Sequence, residues 1–129
     1  MKNVSRGVTL IELIVVLTIM SILAVVALPS YQQYLIEARR SDAINAIRSN
    51  QMVVEKYMQQ NNATPTSGQV TLKTVSDSGF YNMTYTQVSS STYQIVATAV
   101  STTSQNNDTG CTVITLVSQM DTIYPTYCH

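Results

Sequence analysis

The pattern of apolar and polar positions changes twice along the chain. From Gly7 to Pro29, GVTLIELIVVLTIMSILAVVALP, the residues are apolar almost without a break, and Glu12 is the one charge inside the run. From Ser30 to Gln60 there is no proline or glycine. Here Ile36, Ala43, Ile47, Val54 and Met58 fall on one helical stripe, with Ile44 and Gln51 beside it. The spacing predicts one long helix, kinked but not ended at Pro29, whose second half buries that stripe against a sheet. Another side carries Tyr31, Leu35 and Ala38 and turns polar at Asp42, Asn45 and Ser49, which reads as a face fading into solvent. Asn61 to Gly68 is a helix stop and a loop. Val70 to Lys73 reads as either a short strand or loop.

Beyond it the period becomes two. Tyr81, Met83 and Tyr85 alternate with Asn82, Thr84 and Thr86, and Tyr93, Ile95, Ala97 and Ala99 alternate likewise. Ser89 to Ser91 forms a hairpin turn between them, and Thr102 to Gly110 a second turn. Cys111 to Val117 is a third strand, and Asp121 to Cys128 a tail with room for a fourth. Sequential strands with short links predict an antiparallel meander. The fold class is therefore α+β: a long N-terminal helix on a small antiparallel sheet.

Composition narrows the function. The chain has 129 residues, with 7 basic and 7 acidic side chains, so the net charge is zero and gives no electrostatic case for nucleic acid. Charged residues are only 11%, and serine, threonine, asparagine and glutamine supply the polarity. Such a surface suits packing against copies of itself or exposure outside a cell. With a lone histidine at the terminus, no Cys-x-x-Cys and no Gly-rich phosphate loop, a metal site, a bound cofactor and a catalytic triad are all unexpected, and no enzyme activity is implied. Cys111 and Cys128, behind a membrane-targeting segment, suggest one disulfide in an oxidising compartment; two independent buried thiols are the alternative. Arg39, Arg40 and Arg48 share the helix with Glu37, Asp42 and Glu55. They form either a solvated face or a set of salt bridges between subunits.

The first thirty residues admit three readings. A secretory signal peptide would place a cut near Ala27, but Glu12 lies inside its apolar region and the run is long for one. A plain membrane anchor fits the 21 residues from Val8 to Leu28, with Lys2 and Arg6 holding the N-terminus in the cytoplasm. The third reading uses every feature. Gly7-Val8-Thr9-Leu10-Ile11-Glu12, the run Leu13 to Leu17, and Ala27-Leu28-Pro29-Ser30-Tyr31 resemble the N-terminus of type IV (class a) prepilins and related pseudopilins. The tail Cys111 to Leu116, followed by Pro125-Thr126-Tyr127-Cys128, is similar to the closing segment of many pilins of that class.

This resemblance implies a structural filament subunit. Residues 1–7 would be a leader, removed by a membrane-embedded peptidase that cuts between Gly7 and Val8 and methylates the new amine. Residues 8–29 would span the inner membrane and later form the filament core, with the N-terminus cytoplasmic and the head periplasmic. Residues 30–60 would continue the helix into the head, 61–80 connect, and 81–129 form the sheet and a region bounded by Cys111 and Cys128. The partners implied are inner-membrane lipid before assembly, other pilin subunits, the peptidase, and indirectly an assembly platform with its ATPase. Glu12 would pair with the α-ammonium of a neighbouring Val8 inside the apolar core, as a register device; the alternative is that it only complements a helix N-terminus. Relatives usually have phenylalanine where Val8 stands, and often glycine where Ser21 stands, so loosening of the helix on assembly would rest more on Pro29. The filament would be an extracellular pilus serving adhesion, twitching motility or DNA uptake, and the ends of the chain lean toward a minor subunit. A type II secretion pseudopilin is one alternative, weakened because only Asp108 and Asp121 could begin its calcium loop. A DNA-receptor pilin of competence is another, weakened because Lys73 is the one cation beyond the helix.

Overall fold

The computed structural model describes residues 7–128. Lys2, Arg6 and the rest of the expected leader before Gly7 lie outside the described residues. The elements are α1 (Leu10–Asn61), β1 (Tyr81–Gln87), β2 (Tyr93–Ala99), a 3-10 turn (Ser104–Asn107), β3 (Val113–Val117), β4 (Thr122–Tyr124) and a closing 3-10 turn (Thr126–Cys128). They divide into two compact units, one ending at Leu35 and the other starting at Ile36.

The first unit is the N-terminal part of α1. Thr9 caps it: the Glu12 N–H donates to the Thr9 hydroxyl at 3.3 Å, the spacing of a capping box, and the Leu13 N–H donates to the Thr9 carbonyl at 3.2 Å. The hydroxyls along the apolar run turn inward on their own helix. Thr18 donates to the Ile14 carbonyl and Ser21 to the Leu17 carbonyl, both at 2.8 Å, and Ser30 to the Val26 carbonyl at 3.3 Å. A helix in hydrocarbon must satisfy its polar groups internally, and this pattern does so. α1 continues through Pro29, which has no N–H to offer the Val25 carbonyl.

The second unit is the head. Its sheet has the order β1-β2-β3-β4, every pair antiparallel. The pattern of period two decides which side is buried: Tyr81 and Met83 of β1, Tyr93, Ile95, Ala97 and Ala99 of β2, Ile114 and Leu116 of β3, and Ile123 of β4 all point into the core. Ala43, Ala46, Ile47 and Val54 of α1 lie in that same core, with Ile44 and Met58 at its margin. The helical stripe therefore meets the inner face of the meander, as its spacing predicts.

One boundary differs from the sequence reading. β3 begins at Val113 because the Cys111 N–H bonds to the Asp108 carbonyl at 3.0 Å and closes the preceding turn. Val70–Lys73, open to either reading, is loop, and Val75 just beyond it meets β1 through one isolated bridge to Asn82.

Candidate functional site

Two features could carry function: the apolar stretch of α1 and the contacts that fix the head. Every described residue from 7 to 34 is exposed, including Leu10 at 77% and Val25 at 73%. Contiguous apolar surface of this extent needs a cover of lipid or protein. The helix is long and apolar enough to cross a membrane. Glu12 sits in its first turn, where a carboxylate complements the helix N-terminus. Just before the helix, Gly7 has nothing among the described residues within 4 Å of where a side chain would begin.

In the head, the charged residues of α1 reach across to loops far away in sequence. Arg40 grips Asp108 with two hydrogen bonds, Nε to Oδ2 at 2.6 Å and Nη2 to Oδ1 at 2.5 Å. The Asp108 side chain is 4% exposed and that of Arg40 19%. Hydrogen bonding to Asp108 raises the pKa of the guanidinium still further. The buried Gln105 amide donates to Asp108 Oδ2 and to the Tyr81 hydroxyl, each at 2.9 Å, and Tyr81 donates to the Cys111 carbonyl at 2.9 Å. The side-chain amide oxygen of Gln105, Oε1, is buried and meets no hydrogen-bond partner among the described residues.

Asp121 is held by Arg48 at 2.9 Å and by the Gln51 amide at 2.8 Å, and those bonds, the Gln51 bond first, lower its pKa. Arg39 lies over the Phe80 ring, 3.7 Å from its centre, and donates to Ser104 at 2.8 Å. Asp42 accepts from the Ser78 N–H at 2.8 Å and from its hydroxyl.

Thus Arg39, Arg40, Arg48 and Asp42 act within the subunit. They form neither a purely solvated face nor a set reserved for intersubunit bridges. Sequence reasoning missed Gln105, which lies in the polar tract TTSQNNDTG that reads as a turn. It also missed the pairing role of Asp108 and Asp121, weighed only as calcium ligands. Among the described residues, no three of His, Cys, Asp and Glu gather where a metal could use them.

Cys111 and Cys128 are joined in a disulfide with Cα atoms 5.7 Å apart, and both are buried. The ring spans 18 residues and closing it stabilises by about 3 kcal/mol in the chain-entropy model. It encloses β3 and β4, so the bounded region carries core residues of its own and is more than a loop held by its ends. Gly110, next to the bridge, has φ +91° and lies against Tyr127, whose hydroxyl would sit 3.0 Å from any added Cβ. The positive φ favours glycine there, and any larger residue would also have to push the exposed Tyr127 ring aside.

A capped, exposed apolar helix continuing into a head built on a four-stranded antiparallel meander defines a type IV pilin. Residues 2–28 match the prokaryotic N-terminal methylation motif. Residues 29–115 match a family described as type IV minor pilin ComP, DNA uptake sequence receptor. The chain belongs to that family. Among curated proteins, it is similar to fimbrial protein EcpC of Eikenella corrodens, at 35% identity over 57 residues, which is 44% of this chain and 37% of that protein. The shared stretch thus covers little more than a third of the relative's length.

Proposed function

We propose that the chain is a minor subunit of a type IV pilus, made as a membrane-anchored precursor with its head outside the cytoplasm. The precursor is cut between Gly7 and Val8, its new amine is methylated, and the subunit is drawn into a filament. There the apolar helix exchanges lipid for the helices of neighbouring pilins. Both surroundings are apolar, so little hydrophobic energy is gained in the transfer. An external motor, the cytoplasmic ATPase acting through the assembly platform, must therefore extract it. The observation that carries this reading is the fully exposed apolar run whose one carboxylate, Glu12, follows an open glycine. Intact-mass spectrometry of purified filaments tests it. The expected subunit lacks residues 1–7, carries one methyl group on Val8, has lost two hydrogens to the Cys111–Cys128 bridge, and is scarce beside the major pilin. Met1 retained, or a start at Leu28, would overturn the reading.

The pseudopilin alternative loses support because Asp108 and Asp121 each already hold an arginine. DNA uptake is a second reading, favoured by the description of the matched family. The charges of the head do not favour it. Arg40, Arg48 and Lys73 are each within 2.9 Å of a carboxylate, and Arg39 covers Phe80. Phosphate contacts would have to compete with those pairs everywhere but at Lys56, which is exposed and has no ion pair among the described residues. A gel shift of the full-length chain in detergent is expected to show no complex at moderate salt. A complex that weakens steeply as salt rises would establish the DNA reading instead.

A further inference from the structure

Glu12 and the pair Tyr31 and Tyr34 stand at opposite ends of the exposed apolar run. Tyr31 is 61% exposed and Tyr34 66%. They are three residues apart on α1, so they share one face of the helix. Between Glu12 and these rings, the stretch Leu13 to Leu28 carries no charged residue, and its two hydroxyls, Thr18 and Ser21, bond to their own helix. Tyr31 follows Glu12 by nineteen residues, about 28 Å along a helix that rises about 1.5 Å per residue. The hydrocarbon core of a bilayer is about 30 Å thick. The acid and the first aromatic ring are therefore one hydrocarbon thickness apart.

Helix geometry makes the two ends unequal. Each Cα–Cβ bond tilts toward the helix N-terminus. The Glu12 side chain therefore leans out of the hydrocarbon, while the two tyrosine side chains lean back toward it. A tyrosine joins an apolar ring to a polar hydroxyl, which suits the boundary between acyl chains and headgroups. Apolar length alone predicts a different depth. Centring the run from Val8 to Leu28 in the bilayer would put Glu12 roughly one helical turn inside the hydrocarbon.

We propose that, in the membrane-anchored precursor, Tyr31 and Tyr34 bind the headgroup boundary of the bilayer and so hold Glu12 at the opposite boundary, within reach of water. This rests on the membrane reading above and adds a depth to it. The carboxylate is then solvated for as long as the helix stays in the bilayer, and only assembly buries it. The same depth leaves the Gly7–Val8 bond, on the far side of Glu12, outside the hydrocarbon.

The chain has no tryptophan, so a single introduced one reports its own depth. Full-length Leu13→Trp, Ile22→Trp, Tyr31→Trp and Tyr34→Trp variants are placed in vesicles of phosphatidylethanolamine and phosphatidylglycerol. A fraction of the lipid is spin-labelled, either near the headgroup or near the chain end, and quenching of fluorescence is compared. All four positions are exposed, so the packing of the head is untouched. Ile22→Trp is expected to be quenched more by the chain-end label, and the other three more by the headgroup label. In a Tyr31→Ser, Tyr34→Ser background, the Leu13→Trp reporter is expected to move about 5 Å deeper, one helical turn. Chain-end quenching at Tyr31→Trp or Tyr34→Trp, or a Leu13→Trp reporter that does not move, would overturn the proposal and leave the membrane anchor standing. Ile22→Trp quenched by neither label would remove the anchor itself, and the proposal with it.

Discussion

Replacing Asp108 with alanine is expected to destabilise the head by about 3 kcal/mol, far more than the same change at Asp121. Removing one partner of a buried pair leaves an uncompensated charge, at a cost of roughly 3–5 kcal/mol. The residual exposure of Arg40 places the effect at the lower end. The Gln105 amide would lose an acceptor as well, so the Asp108→Ala loss spreads to Tyr81 and the Cys111 carbonyl. Arg48–Asp121 is a different case. Its side chains are 43% and 70% exposed, and exposed pairs contribute about 0–1 kcal/mol. Urea unfolding of both variants in detergent, followed by near-ultraviolet circular dichroism, separates them. A third variant sharpens the test: Arg40→Met with Asp108→Leu removes both charges and should recover most of the loss, since an already incompletely satisfied polar network gives way readily to apolar packing. Equal costs at Asp108 and Asp121, or a double variant no better than Asp108→Ala, would show that burial is not what makes this pair matter.

The parts of the fold that were legible in the sequence are those set by local periodicity. The run from Gly7 to Pro29 and the stripe through Ala43, Ile47 and Val54 place the helix, and alternation at Tyr81, Met83, Tyr93, Ile95 and Ala97 places the inner face of β1 and β2. The interactions that join helix to loops were not legible. Arg40 and Asp108 are 68 residues apart, and Arg48 and Asp121 are 73 apart. No pattern within a window of one helix or strand can join such residues, so each charge looks solvated or free for another subunit. Asn50 shows the same limit from inside the stripe. It lies between Ile47 and Val54 on the helix, 2% exposed, and is satisfied by the backbone of Lys73, a residue in a segment with no period at all. The head is thus organised at two levels: apolar periodicity brings the layers together, and long-range polar contacts fix the loops. The assembly helix has only the first level, so its one charge stands out in the sequence.

That charge carries the largest functional prediction: Glu12→Ala and Glu12→Gln should both leave few or no filaments while the precursor still inserts in the membrane. The geometry sharpens the choice between register device and helix-start acid. Thr9 and Glu12 have capping-box spacing, and the Thr9 hydroxyl already accepts the Glu12 N–H. If Glu12 serves only the start of α1, glutamine would serve nearly as well, because either residue completes a capping box. The macrodipole contribution lost would then be about 0.3–1 kcal/mol, too little to stop assembly. If Glu12 neutralises the α-ammonium of a neighbouring Val8, glutamine fails almost as badly as alanine. At about 4 Å and an effective dielectric near 20, that attraction is about 4 kcal/mol per subunit, and without it the ammonium is left unpaired among apolar side chains. Sheared filaments counted by electron microscopy, beside membrane fractionation of the same cells, decide between the two. Normal piliation by Glu12→Gln would sink the register reading and leave the carboxylate with no role beyond the first turn of its own helix.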